Sequence, residues 1–170
     1  TGSIVSDKNI VLKELDNSSG TIEGKNINIV NTGLFNNQSG KLKVFDNDSI
    51  LYIKALDINN NLGEVHAQGT ADLNIAGNLI LTGSYIGNTL LKITADSLTS
   101  NINLENGGDI VLNLSGDFLN NNKFVSGNNI TISAKDLVNK EREQLVALKT
   151  ALSNNASKAD IAKAIDAVSK

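Results

Sequence analysis

Apolar and polar residues alternate along most of this chain in short stretches. Ile27-Asn28-Ile29, Ile102-Asn103-Leu104 and Ile130-Thr131-Ile132 are examples. A period of two places successive side chains on opposite faces of a strand, so that one face is buried and the other meets water. The pattern therefore predicts many short β-strands, each with one apolar face.

These strands belong to a degenerate repeat. Residues 22–29 match residues 125–132 position by position, and the match extends to residues 34–36 and 137–139. Weaker copies begin near Ile4, Gly63 and Gly108. The copies lie about 18 to 25 residues apart, a spacing that is typical of solenoids.

A parallel β-helix accounts for both the short strands and the short repeat. The copies recur too soon to contain crossover helices, and a bend signal in the middle of each copy argues against antiparallel hairpins. In a β-helix each coil stacks about 4.8 Å above the previous one, and the ladder hydrogen bonds run between coils. We therefore predict an all-β solenoid of about seven coils over residues 1–139.

Asparagine stands two residues after a leucine or phenylalanine in several copies of the repeat. The positions are Asn17, Asn36, Asn120 and Asn139. Asparagine tolerates the left-handed backbone conformation, and its amide can bond to an asparagine one coil away. Stacked asparagine ladders are one prediction, and ordinary turn residues without a ladder are the alternative.

Two segments are more apolar than alternation requires, residues 79–81 and residues 90–91. A strand that is apolar on both sides is usually covered on both faces. We expect these residues to lie at corners where both faces of the chain are covered, and the alternative is an exposed apolar surface on the side of the solenoid.

The pattern changes over residues 140–170, where glycine disappears and the apolar period becomes helical. The apolar positions of this tail are Leu145, Leu148, Leu152, Ile161, Ile165 and Val168. Ser157 and Asp160 resemble a capping box, so a second helix is predicted to begin there. The tail is predicted to be a small helical hairpin that either caps the last coil or forms a junction or oligomer contact.

Composition excludes several classes of function. The net charge is −3 and the lysines are scattered, so no nucleic-acid surface is expected. Cysteine is absent, which removes disulfides and thiolate metal sites and fits either the cytosol or a protein that is exported unfolded. No apolar run approaches the roughly 20 residues of a membrane span. The first residues lack a signal-peptide pattern, and we expect an excised fragment of a longer protein.

Candidate chemistry is sparse. His66 is the one histidine, and alternation places it on the solvent side opposite Val65. Asp46 and Asp48 form a local acidic pair that could attract calcium, but the glycine-rich nonapeptide of calcium-binding rolls is missing. The single arginine, Arg142, belongs to the helical tail. We therefore predict no catalytic, cofactor-binding or metal-binding residues and no enzyme activity.

Residues 124–139, together with residues 63–83, resemble the repeats of the filamentous haemagglutinin family, which includes adhesins and the toxin-delivery proteins of contact-dependent growth inhibition. The resemblance covers about residues 1–139. It implies a right-handed β-helix that leaves the cell by two-partner secretion and forms an internal part of a stalk. The family's repeats are structural, so no functional residue is carried over from them.

The function expected from the sequence is that of a shaft segment in a secreted bacterial surface fibre. A receptor- or glycan-binding module of such a fibre is the alternative, and a polysaccharide-cleaving enzyme comes third. The expected partners are a receptor or glycan on a host or neighbouring cell, and an outer-membrane transporter during export only. We otherwise expect a monomer.

Overall fold

The computed structural model describes residues 2–121, 125–140 and 162, with residues 139 and 140 described by their backbone alone. Among the described residues up to 140, every regular element is a short strand. The strands are β1 Ser3–Val5, β2 Asn9–Lys13, β3 Thr21–Gly24, β4 Asn26–Val30, β5 Leu34–Asn36, β6 Lys41–Val44, β7 Ile50–Ala55, β8 Asp57–Asn59, β9 Glu64–Ala67, β10 Thr70–Ile75, β11 Leu79–Leu81, β12 Ser84–Gly87, β13 Leu90–Ala95, β14 Leu98–Ser100, β15 Leu104–Glu105, β16 Asp109–Leu114, β17 Phe118–Asn121, β18 Val125–Ser126, β19 Ile130–Ser133 and β20 Leu137–Lys140.

The strands form parallel sheets in which each neighbour comes from the next turn of the chain. Sheet 1 has the order β2-β4-β7-β10-β13-β16-β19, sheet 2 the order β1-β3-β6-β9-β12, and sheet 3 the order β11-β14-β17-β20. Two further strand pairs, β5-β8 and β15-β18, form small separate sheets of the solenoid. The predicted parallel β-solenoid of about seven turns is therefore confirmed, with one turn, or rung, for each strand of sheet 1.

The rungs are unequal in length although their strands stay in register. One column of sheet 1 joins positions 10, 27, 51, 71, 91, 110 and 130, so successive rungs are 17, 24, 20, 20, 19 and 20 residues long. Residues 27–29 and 130–132 are structurally equivalent, as the repeat predicts, because Ile27 and Ile130 share this column. The longer rung between positions 27 and 51 accommodates its extra residues outside the strands of sheet 1.

The core consists of stacked aliphatic columns. Ile27, Ile29, Leu51 and Ile53 are at most 1% exposed, whereas Asn28 between the two isoleucines is exposed. This contrast repeats in every inner rung, and it confirms that alternation separates inward from outward positions. Burial of such columns is the main favourable contribution to the stability of the fold.

Two sequence predictions about strands need correction. Leu79 and Leu81 are buried, but Ile80 between them is 53% exposed, so only one face of this segment is covered. The segment Ile102-Asn103-Leu104 is a strand only from Leu104, because the chain bends at Ile102 as it enters β15. Period-two alternation describes the side of the chain on which a residue lies, and it does not require that every alternating segment pairs as a strand.

Three aligned turns follow the pattern Asn-x-x-Gly. They span residues 17–20, 37–40 and 60–63, and in each the glycine N–H donates to the asparagine carbonyl at 2.9 Å. The third residue is left-handed in each turn, with φ of 54° at Ser19, 53° at Ser39 and 55° at Leu62. This geometry is that of a type II turn.

A buried asparagine ladder joins these turns across rungs. Asn17 Nδ2 donates to Asn37 Oδ1 at 2.7 Å, and Asn37 Nδ2 donates to Asn60 Oδ1 at 2.7 Å. The ladder ends where Asn60 Nδ2 donates to the backbone oxygen of Ser84 at 3.2 Å. The predicted laddering is therefore present at Asn17, but Asn17 bonds to Asn37 and not to Asn36.

Asn36 belongs to a second ladder outside the core. It donates to the Asp16 carboxylate at 3.3 Å and accepts from Asn59 Nδ2 at 3.1 Å. Hydrogen bonds from Ser18, and then from Asn36, hold the pKa of Asp16 below its ordinary value. Asn120 is buried one rung above Ser100, and the side chain of Asn139 lies outside the described residues.

The solenoid forms one compact unit, Thr1–Val138. The helical hairpin predicted over residues 140–170 lies outside the described residues, apart from Lys140 at the end of β20 and residue 162. In the described part of the chain, no helix has the length and hydropathy of a membrane span.

Candidate functional site

An open groove runs parallel to the solenoid axis along the corner where sheet 1 ends. Two concavities of about 490 Å³ and about 310 Å³ make up this corner groove, and Ala76 lines both of them. One wall is an outward column of sheet 1, namely Val30, Lys54, Asn74, Thr94, Asn113 and Ser133. The other wall consists of the corner residues Thr32, Leu56, Ala76, Asp96 and Ser115.

A regular backbone continues along the groove. The last inward positions of sheet 1 beside it are Ala55, Ile75, Ala95 and Leu114, and all four are buried. The corner backbone continues from rung to rung, since Gly77 N donates to Leu56 O at 2.9 Å and Asp96 N donates to Gly77 O at 3.1 Å. A Cβ on Gly77 would lie 2.9 Å from that Leu56 oxygen, so only glycine fits the corner there. The corner backbone is consequently continuous from Leu56 through Gly77 to Asp96.

The walls of the groove carry amides and hydroxyls, with little net charge. Asn74, Thr94 and Asn113 stack in consecutive rungs of the sheet 1 wall. On the other wall Ser115 Oγ donates to Asp96 Oδ1 at 2.6 Å. Asp96 is the one carboxylate among the described lining residues, and Lys54 is the one ammonium.

The amides of Asn74 and Asn113 differ from the other stacked amides of the solenoid. Neither has a hydrogen-bond partner among the described residues, because Thr94 separates them in the column and prevents a ladder. Asn113 is exposed, and so is Asn74. These amides are therefore available to a ligand.

His66 lies outside the groove, on the outer face of sheet 2. Val65 beside it is fully buried, which confirms the predicted outward position of His66. Its Nδ1 lies 3.6 Å from Glu64 Oε1, and Glu64 also approaches Lys41 Nζ at 3.9 Å. The arrangement is a surface charge cluster in which register places Lys43 and Ile86 directly below and above His66.

Asp46 and Asp48 lie in the turn between sheet 2 and sheet 1. The polar network at this corner is built from amides: Gln68 Nε2 donates to Asn47 Oδ1 at 3.3 Å, and Asn88 Nδ2 donates to Gln68 Oε1 at 2.9 Å. Within residues 2–121 and 125–138, no three acidic, histidine or cysteine side chains come together as a metal site would require. Arg142 lies outside the described residues.

Sequence reasoning did not identify the corner groove. Alternation correctly places Lys54, Asn74 and Asn113 outward, which was the available signal. The groove depends on which corner residues of consecutive rungs come together, such as Leu56, Ala76 and Asp96, and the corner position is not marked in the sequence.

Tyr85, like Asp16, has a shifted pKa, and it lies in the core. Its ring is 3% exposed, and its hydroxyl has no hydrogen-bond partner among the described residues. Burial raises the pKa of Tyr85 well above its ordinary value; the nearby Asn60 amide opposes this shift without forming a well-aligned bond, and Asp57 adds to it.

We expect Tyr85→Phe to stabilise the fold by about 1 kcal/mol, because it removes a buried hydroxyl that has lost its water without gaining a partner. The variant should also change the response to alkali. The unfolded tyrosine loses its proton near pH 10 while folded Tyr85 keeps it, so wild-type stability falls as the pH rises above about 10. Urea unfolding at pH 8 and pH 11 measures both effects. This account of Tyr85 would be contradicted by a variant that is less stable than the wild type at pH 8. It would also be contradicted if the free energy of unfolding of the variant fell between pH 8 and pH 11 by as much as that of the wild type.

Comparisons of the chain with models of known protein families, with curated proteins and with solved structures found no match.

Proposed function

We propose that this chain is a structural shaft segment of a secreted bacterial surface fibre, either an adhesin or a toxin-delivery exoprotein. The observation that carries the proposal is the stack of seven rungs in sheet 1, whose columns stay in register from β2 to β19. Such a stack gives an elongated body whose length is set by the number of rungs. A length that is set in this way is what a spacer requires.

Side-chain amides reinforce the stack where backbone pairing stops. Asn31 accepts from Leu15 N at 2.9 Å and donates to Leu15 O at 2.8 Å, as a paired strand residue would. Asn106 makes the same two bonds to Gly87, at 3.0 and 2.6 Å. Together with the buried ladder of Asn17, these contacts tie neighbouring rungs at the corners, and they support a stiff body.

The finer assignments belong to the same proposal. Right-handed winding and two-partner secretion are supported by the resemblance of residues 124–139 to filamentous haemagglutinin repeats. The apolar spacing of residues 140–170 supports a helical hairpin that acts as a cap or junction. The proposed location is the bacterial cell surface, with an outer-membrane transporter as partner during export and a monomeric segment afterwards.

A binding module remains the second candidate, because the corner groove offers unpaired amides along the shaft. A polysaccharide-cleaving enzyme is not proposed. Cleavage by general acid and base requires two carboxyl groups that flank the scissile bond. Among the described lining residues of the corner groove, Asp96 is the one carboxylate.

The shaft proposal predicts that length changes by one rung at a time. Lys13 and Ser133 are exposed and occupy the same column six rungs apart. Spin labels on cysteines at these positions should be separated by about 29 Å, with a narrow distribution. Because the chain has no cysteine of its own, both labels are unique. The distance is measured by double electron–electron resonance.

Duplication of residues 70–89 inserts one complete rung, since Thr70 and Leu90 are aligned. It should lengthen the labelled distance by about 5 Å, and deletion of the same residues should shorten it by about 5 Å. Circular dichroism confirms that each variant is folded. A broad distribution in the wild-type chain, or a folded variant whose distance does not follow the rung number, would rule out a stiff shaft.

A further inference from the structure

The shape of the corner groove selects a long, thin ligand. It follows the sheet 1 wall from Val30 to Ser133 and is open to solvent along its length. A compact molecule would contact only one or two rungs of such a groove. An extended polymer that lies parallel to the solenoid axis would contact all of them.

The chemistry of the groove selects a neutral ligand with polar edges and apolar faces. Asn74, Thr94 and Asn113 present amide and hydroxyl groups. The Asp96 carboxylate already accepts a hydrogen bond from Ser115. Beside these polar groups lie the exposed side chain of Ala76 and, in the adjoining concavity, that of Leu56, which is 53% exposed. Sugar rings have this combination, since their hydroxyls lie at the edges and their C–H groups cover the faces.

The repeat distance of the groove favours an extended sugar chain over a peptide. Wall positions recur at the rung spacing of about 4.8 Å. A β-1,4-linked pyranose chain is a flat ribbon that advances by nearly one rung per sugar. An extended peptide advances by about 3.3 Å per residue, which is well short of the rung spacing, so it drifts out of step with the rungs.

A peptide would also lack its usual means of binding. Peptides commonly bind to a sheet by adding a strand to an unpaired edge. Along the corner groove the inner strands of sheet 1, such as β10 and β13, are already paired on both sides. We propose that the corner groove binds a neutral β-1,4-linked polysaccharide parallel to the solenoid axis, with about one sugar per rung.

This binding is tested by titrating the full chain with three hexasaccharides and following backbone amide signals by NMR. The probes are β-1,4-linked glucose, β-1,4-linked N-acetylglucosamine and, as the control, α-1,4-linked glucose. The α-linked chain carries the same hydroxyls as its β-linked counterpart but coils, so it cannot lie along the groove. We expect at least one β-linked hexamer to shift the signals of Asn74, Thr94 and Asn113, and its dimer to bind at least about tenfold more weakly.

Variants locate the contact. Asn113→Ala removes one exposed amide, and Ala76→Leu fills the groove at an exposed position where the two concavities meet. Asn113→Ala is expected to weaken binding by about tenfold or somewhat less, as the loss of one hydrogen bond would, and Ala76→Leu should abolish binding. Asn28→Ala, on the same sheet but outside the groove, is the matched control and should bind as the wild type does.

The inference is overturned if neither β-linked hexamer binds at millimolar concentration, if the α-linked hexamer binds equally well, or if the groove variants bind as tightly as Asn28→Ala. Selective binding that is weakened in Asn113→Ala and abolished in Ala76→Leu supports it. The result is independent of the shaft proposal, because the distance between Lys13 and Ser133 reports rung number whether or not a sugar binds.

Discussion

Replacement of Ile29 by asparagine is expected to destabilise the fold by about 3 kcal/mol or more. Ile29 is fully buried in a column between Leu12 below and Ile53 above. The substitution removes aliphatic surface from this column and buries an amide for which the column offers no partner. Chemical denaturation followed by circular dichroism measures the change in the free energy of unfolding.

The neighbouring position provides the control. Asn28 is exposed on the outer face of the same strand, so Asn28→Ala should change stability by less than about 0.5 kcal/mol. The contrast depends on the alternation of inward and outward residues in β4. Comparable losses at Ile29 and Asn28, or a larger loss at Asn28, would refute the register of the solenoid.

Gly40→Ala is expected to cost about 3 kcal/mol or more, although it adds only one methyl group. A Cβ at this position would overlap the backbone oxygen of Asn17 in the turn one rung below, and it would lie 2.5 Å from Asn37 Oδ1. Backbone atoms of a neighbouring rung cannot move without disturbing the ladder between Asn17 and Asn37. The cost therefore combines overpacking with the loss of buried hydrogen bonds.

Gly33→Ala is the matched control for Gly40→Ala. Gly33 has no atom within 4 Å of the position that a Cβ would occupy. Its substitution should be neutral or stabilise the fold by up to about 1 kcal/mol, through the unfolded state. Thermal unfolding of both variants gives the comparison. If Gly40→Ala melts at the wild-type temperature, the close approach of the stacked turns is not a constraint on the fold.

The stacked turns show where sequence reasoning succeeded and where it stopped. Asparagine laddering was predicted for Asn17, and the structure contains such a ladder. The partner was wrong, because the prediction aligned the asparagines that stand two residues after a leucine or phenylalanine. The structure aligns Asp16 with Asn36 and so places Asn17 beside Asn37. The recurrence of Asn-x-x-Gly at residues 17, 37 and 60 was the signal that could have given the correct alignment.

The sequence alone determined that short strands build the solenoid, and it determined on which side of these strands most side chains lie. Alternation is a local property of the chain, so it separates inward Ile29 from outward Asn28 without knowledge of any distant contact. The short repeat likewise predicts a solenoid of about seven turns. These features are confirmed because each depends on a few neighbouring residues and is repeated many times.

The tertiary structure decided which residues meet across rungs. Rungs differ in length between 17 and 24 residues, so equivalent positions cannot be found by counting along the chain. The register between neighbouring rungs is the alignment that satisfies the backbone hydrogen bonds and, at the same time, stacks the buried side chains in columns. That alignment places Asn37 between Asn17 and Asn60, and it leaves Asn74 and Asn113 separated by Thr94 at the corner groove. The candidate site therefore exists only in the folded stack, because its residues lie in different rungs and are brought together by non-local pairing.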